Sequence, residues 1–230
     1  MSTRKPKVSD LATKPAVRTA DNFMAMASRA ALDYEAVKSS GGSDAAQAML
    51  MTSISAYAFA IEVYIKVLTY VVNRRVLSGH NLTELWNDMD PRARQYVEES
   101  FAHNFKSTGK DWDATSLWSA RLAGKSNVES FVVPGITAAE VMRGHAKAFV
   151  EGRYFYEIKD TQSMKIVLHN IPGLSMIARI LRDLAVRMVE ATEAENARVR
   201  SLPKEERPKS HSTSVSLRPH DPVPDFPTAD

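Results

Sequence analysis

The sequence predicts an all-α protein, an antiparallel bundle of about four long helices plus one or two short ones. Three observations carry that reading. Apolar residues recur at the 3.6-residue helical period in several long windows, and cap signals stand at the starts of those windows. Strand signals are few and short.

Residues 1–20 hold Pro6 and Pro15 with little apolar periodicity, and are expected to form a flexible basic arm. A first helix is expected over 21–39, where Phe23, Met26, Ala27, Ala30, Tyr34 and Val37 share one face. Gly41-Gly42 ends it, and Ser43 or Asp44 can cap the next helix, expected over 44–73. That second helix is apolar on most sides from Met49 to Val72, the pattern of an interior helix.

A short loop, 74–79, implies a neighbour folded back on it. Asn81-Leu82-Thr83-Glu84 then has capping-box spacing, followed by the stripe Leu82, Leu85, Trp86 and Met89. Asp90-Pro91 supplies a cap and an N1 proline for a helix to about Phe105. Residues 106–136, with Trp112, Leu117, Trp118 and Leu122, read as a short helix or a packed excursion, a length often put to functional use. Thr137-Ala138-Ala139-Glu140 is a second capping box, opening a helix to about Gly152. Arg153 to Glu157 is expected to be extended or turning. A last helix runs from near Pro172 to Arg200 on the stripe Ile177, Ile180, Leu181, Leu184, Met188 and Ala191. Residues 202–230 hold six of the eleven prolines and almost no aliphatic side chains, a composition that cannot bury a core and implies a disordered tail. The domain expected is therefore 21–201.

Composition narrows the chemistry. The 230 residues are 44% hydrophobic and 25% charged, values of an ordinary globular chain, and their net charge of +3 is too small to demand a nucleic-acid partner. With no cysteine, thiol catalysis, disulfides and Cys-ligated zinc are excluded, which fits a reducing, cytoplasmic compartment. No apolar run follows the basic start, so no secretory signal is expected. Residues 54–73 have the length of a membrane span, but Glu62 and Lys66 would sit near mid-bilayer at roughly 2.5–3.5 kcal/mol each. An i,i+4 pair inside a core helix accommodates the same residues at lower cost, so no membrane association is expected.

Gly124-Lys125-Ser126 ends like a phosphate-binding loop, but Ser119 stands where that loop needs glycine. No His-Glu-x-x-His, carboxylate cluster or calcium loop is present, and neither metal nor cofactor is expected.

Three segments remain, in order: Glu62-x-x-x-Lys66; Gly79-His80-Asn81-Leu82-x-x-Leu85-Trp86; and Phe149-Val150-Glu151-Gly152-Arg153-Tyr154-x-Tyr156-Glu157. Together they resemble the HEPN-like superfamily, small all-α proteins of prokaryotic toxin–antitoxin, phage-defence and RNA-processing systems, over roughly residues 25–195. The resemblance implies a helical bundle, frequent homodimerisation and, in catalytic members, metal-independent endoribonuclease activity from an Arg-(four to six residues)-His motif. His80 meets that spacing from Arg75 or from Arg74. Arg75 would hold the scissile phosphate and His80 would act as general acid or base. Glu62, Lys66, Arg153, Tyr154 and Glu157 would support them.

The same residues have structural uses. A histidine just before a capped helix readily bonds a backbone carbonyl or a carboxylate. Glu62 and Lys66 can pair with each other, or with His80 or Arg153. The Arg153–Glu157 segment can lock helices through its hydroxyl and guanidinium groups. Two further functions stay open: a non-catalytic helical module whose tails and 106–136 excursion bind a partner protein, and a nucleotide-binding bundle. His103 and His145 carry no expected role.

Overall fold

Helix α2, Ser43–Asn73, organises the protein, because it is too apolar to face water on any long side. Leu50, Ile54, Ala58, Ile61, Tyr64, Ile65, Leu68 and Val71 are all buried. Each large aliphatic side chain among them stabilises the fold by roughly 1.5–3 kcal/mol. Ala45–Asn73 is long and apolar enough to cross a membrane by length and composition, and its most apolar window is 67% buried within the protein.

The computed structural model describes residues 12–39, 43–107, 117–122, 128–132, 135–148 and 166–206. Among these residues the remaining helices are α1 (Thr13–Ser39), α3 (Leu82–Asp88), α4 (Pro91–Ser107), α5 (Ala138–Gly144) and α6 (Ile171–Ser201), with a 3-10 turn at Lys204–Glu206. The protein is a helical bundle in which α1, α2, α4 and α6 are long and α3 and α5 short.

Helix α1 lies antiparallel to α2. Ser53 donates to the Ala27 carbonyl, Ser28 bonds Tyr57, Phe23 packs on Phe59 with centroids 4.3 Å apart, and Tyr64 donates to Asp21. Ala20 and Ala27, both fully buried, let the two backbones approach. Contacts Lys14–Glu193 and Asp21–Arg182 make α1 antiparallel to α6 as well. Helices α2 and α6 therefore run in the same direction, and the chain between them must cross back over the bundle.

Helix α1 begins well before the expected start at residue 21. Pro15 sits in its first turn, where a missing N–H costs little, and Val17 and Ala20 are core residues. Residues 12–20 are thus not an arm; residues 1–11 lie outside the described residues. The helix expected to run to about Gly152 is interrupted: α5 ends at Gly144, Ala148 is helical again after a turn, and residues 149–152 lie outside the described residues. His145 forms its C-cap, and residues 145–147 form a turn.

The 106–136 excursion contains two strands that the sequence reading did not assign. They are β1 (Leu117–Leu122) and β2 (Val128–Val132), and β3 (Ile166–His169) joins them in a three-stranded sheet of order β2-β1-β3. Both pairings are antiparallel, with Arg121 opposite Val128 and Leu122 opposite Ile166. Strand β3 leads directly into Asn170, whose side chain caps α6 by accepting the Gly173 N–H at 2.8 Å. His169, at the end of β3, meets the Tyr34 ring of α1 edge-on.

The caps expected at Asn81, Asp90 and Thr137 are present. Asn81 accepts the N–H groups of Thr83 and Glu84, while Glu84 receives the Asn81 side-chain amide rather than its backbone N–H. Thr137 and Glu140 form a complete capping box. Glu98 of α4 adds to it, accepting the N–H groups of Ala138 and Ala139 at 2.9 Å each. A carboxylate there satisfies two free amides and complements the helix dipole.

Candidate functional site

The candidate site grows from one buried carboxylate. Glu62 lies in the middle of α2 at 2% exposure, so its charge needs donors. Lys66, one turn on, supplies one, with Nζ 2.7 Å from Oε1. His80 supplies the other, its Nδ1 lying 2.9 Å from Oε1 and 3.1 Å from Oε2.

The backbone that brings His80 there is a tight loop. Arg74 closes α2 in the left-handed region at φ 54, donating its N–H to the Tyr70 carbonyl. Gly79 has φ +89, a conformation that a side chain would strain. Its carbonyl accepts a second hydrogen bond from Lys66 Nζ at 2.8 Å. Lys66 thus holds the turn by the backbone while Glu62 holds it by the imidazole.

This geometry fixes the histidine tautomer. An ionised carboxylate only accepts, so Nδ1 carries the proton and Nε2 is the basic nitrogen of the neutral ring. The imidazole side chain is 52% exposed while its orienting carboxylate is buried. Such an arrangement can pass a proton to or from a molecule arriving at the surface and stabilise the imidazolium that results.

Arg75 is also accessible, but it is anchored elsewhere. Its Nη2 lies 2.9 Å from Oδ2 of Asp88 in α3, with the two side chains 59% and 51% exposed. An ion pair so exposed contributes about 0–1 kcal/mol, so an incoming phosphate can displace it. Arg75 and His80 therefore flank the same loop on different carboxylates. Arg74 lies over the Tyr70 ring at 5.6 Å. Arg153, Tyr154 and Glu157 lie outside the described residues.

No protein-family model, curated protein or solved structure matches this chain.

Among the described residues, no group of three or more His, Asp or Glu side chains is placed to hold a metal ion. Two polar clusters elsewhere escaped the sequence reading. Asp21 accepts from Tyr64 at 2.6 Å and from Arg182 Nε at 2.8 Å, joining α1, α2 and α6. Burial, and then the hydrogen bond to Asp21, push the Tyr64 phenol far above its usual range. His145 is the second. Its Nδ1 donates to the Val141 carbonyl at 2.8 Å, and Nε2 accepts the Asn170 N–H at 3.2 Å. Burial pushes this imidazole down to about 4, against the opposing backbone hydrogen bond. It is a neutral pin between α5 and α6. Neither cluster has a sequence signature, because its members are far apart in the chain.

Proposed function

We propose that this chain is an HEPN-like protein that acts on RNA, with His80 as the proton-transfer group and Arg75 as the phosphate-holding group. The observation that carries the reading is the half-exposed His80 imidazole oriented through Nδ1 by the buried Glu62 carboxylate. In that role Nε2 takes the proton of a ribose 2′-hydroxyl as its oxygen attacks the adjacent phosphorus. The bond from phosphorus to the 5′-oxygen breaks, leaving a 2′,3′-cyclic phosphate, and the departing oxygen takes a proton from solvent. Arg75 leaves Asp88 to neutralise the charge building on the phosphoryl oxygens. Glu62 stabilises the imidazolium, and Lys66 pairs with Glu62 and holds the turn in place. The resemblance in sequence extends this reading to a homodimer, a cytoplasmic location and a toxin or phage-defence setting.

A second reading is favoured by one contact, Lys66 to the Gly79 carbonyl. That bond, with the Glu62–His80 bond, makes the turn a rigid structural corner. On this reading the chain is a non-catalytic interaction module, and the 106–136 excursion and the tails bind a partner protein.

Incubating the purified protein with single-stranded RNA in excess chelator separates the two. Ribonuclease function predicts cleavage to cyclic-phosphate ends, slowed about 10²–10⁴-fold in His80→Ala. Cleavage that persists undiminished in His80→Ala removes the site assignment. No cleavage by the native chain, with partner capture lost on deleting 106–136, supports the interaction module.

A further inference from the structure

Helix α2 carries a ridge of i,i+4 positions, Glu62, Lys66 and Tyr70, Arg74 follows just past its C-terminus, and Ser55 lies about two turns before Glu62 on nearly the same face. Two separate turns of the chain are seated along it. The Gly79-His80 turn sits on Lys66 and Glu62. The turn after α5 sits further back, where Ser55 Oγ donates to the Ala148 carbonyl at 3.4 Å. The two turns are tied to each other, since Leu82 N–H donates to the Ala146 carbonyl at 2.9 Å.

Lys147 lies between those two anchored carbonyls and is exposed. Seven helical residues separate Glu62 from Ser55, which places Lys147 on the order of 10 Å from His80 along the helix. Neither Lys147 nor Arg74 makes an ion pair with any described residue, a property they share with Arg18, Arg94, Arg143 and Arg179; what sets these two apart is their place on either side of the His80 turn. Arg74 is held in a left-handed conformation that glycine adopts at lower cost, so its side chain is kept at a backbone penalty. Two cations with no carboxylate partner among the described residues thus bracket His80 along one edge of α2.

We propose that Lys147 contacts a backbone phosphate neighbouring the one at His80, so that a single RNA strand lies along α2 past Arg74, His80 and Lys147. This rests on the reading of His80 as an RNA site. A single strand suits the arrangement because a row of point charges on one edge follows one backbone and needs no groove. Lys147 is a positioning residue and takes no part in proton transfer.

The test is binding of a fluorescent single-stranded oligoribonucleotide across a range of salt concentrations, in the non-cleaving His80→Ala background. Lys147→Ala is compared there with Arg29→Ala, which removes the same charge from the outer face of α1. Losing one phosphate contact lowers the slope of log affinity against log salt by about 0.7 for a single strand. Lys147→Ala is expected to show that loss and a several-fold weaker affinity, Arg29→Ala neither. In the otherwise native chain, Lys147→Ala should raise KM and leave kcat unchanged. RNA bound with an unchanged slope in Lys147→Ala, or with equal changes in both variants, overturns this inference and leaves the His80 site standing. A native chain that neither binds nor cleaves RNA overturns both.

Discussion

Glu62 and His80, eighteen residues apart, meet with Oε1 2.9 Å from Nδ1, the carboxylate buried and the imidazole half-exposed. Glu62→Gln keeps the shape but removes the charge and the demand for a donor at Nδ1. The imidazole should then populate both neutral tautomers, visible as a change in the nitrogen-15 shifts of His80. Lys66 loses its counter-charge in a site 21% exposed, so unfolding should become easier by about 1–3 kcal/mol. Unchanged nitrogen shifts would show that the carboxylate does not set the tautomer.

Tyr64, Asp21 and Arg182 should behave as one unit. Tyr64→Phe and Asp21→Ala each remove the 2.6 Å hydrogen bond, and each should cost about 1–3 kcal/mol in urea unfolding. The double variant should lose less than their sum, by about 0.5–3 kcal/mol. Strict additivity would mean that the three helices are not joined through this carboxylate.

Acid should loosen the junction of α5 and α6. His145 is held neutral in the fold, down to about 4, against an ordinary value near 6.5 when unfolded. As pH falls from about 6.5 towards 4, the unfolded chain takes up this proton and the folded chain does not, so stability falls with it. The contribution present above 6.5 and lost by pH 4 is about 3 kcal/mol. Urea midpoints at pH 7, 6, 5 and 4.5 measure it. His145→Gln, whose amide can serve both neighbours without titrating, should lose less over that window, and an identical pH profile would remove His145 as the cause.

Gly173→Ala should destabilise despite alanine's better helix propensity, worth about 1 kcal/mol. A Cβ there would stand 2.9 Å from Asn170 Oδ1 and 3.0 Å from Val141 Cγ2. Moving Asn170 away releases the α6 cap and the partner of His145 together, at a cost of about 1–3 kcal/mol. Thermal unfolding decides the sign, and a higher midpoint would contradict the packing.

The helices were readable where periodicity and caps act locally. Leu82, Leu85, Trp86 and Met89 behind Asn81, and Ala138, Val141 and Met142 behind Thr137, needed no long-range partner to declare themselves. The start of α1 was obscured because Pro15 and scattered cations resemble an arm until Val17 and Ala20 find α2 and α6. The sheet was missed because Leu117–Leu122 and Val128–Val132 are short runs, and β3 lies more than thirty residues beyond them. A strand of four to six residues gains its hydrogen bonds only from a partner that its own sequence does not name.

For this protein, the sequence alone determined the helical bundle, the interior character of α2, the capped turns, and the Glu62, Lys66 and His80 side chains as a set. Local periodicity and capping are short-range physics, and they are written in consecutive residues. Only the tertiary structure decided that Glu62 faces His80, that Arg75 is held by Asp88, and that Lys147 arrives beside the same helix. Those relationships depend on how α3 and α5 fold back along α2, and that is set by burial of the whole apolar surface at once.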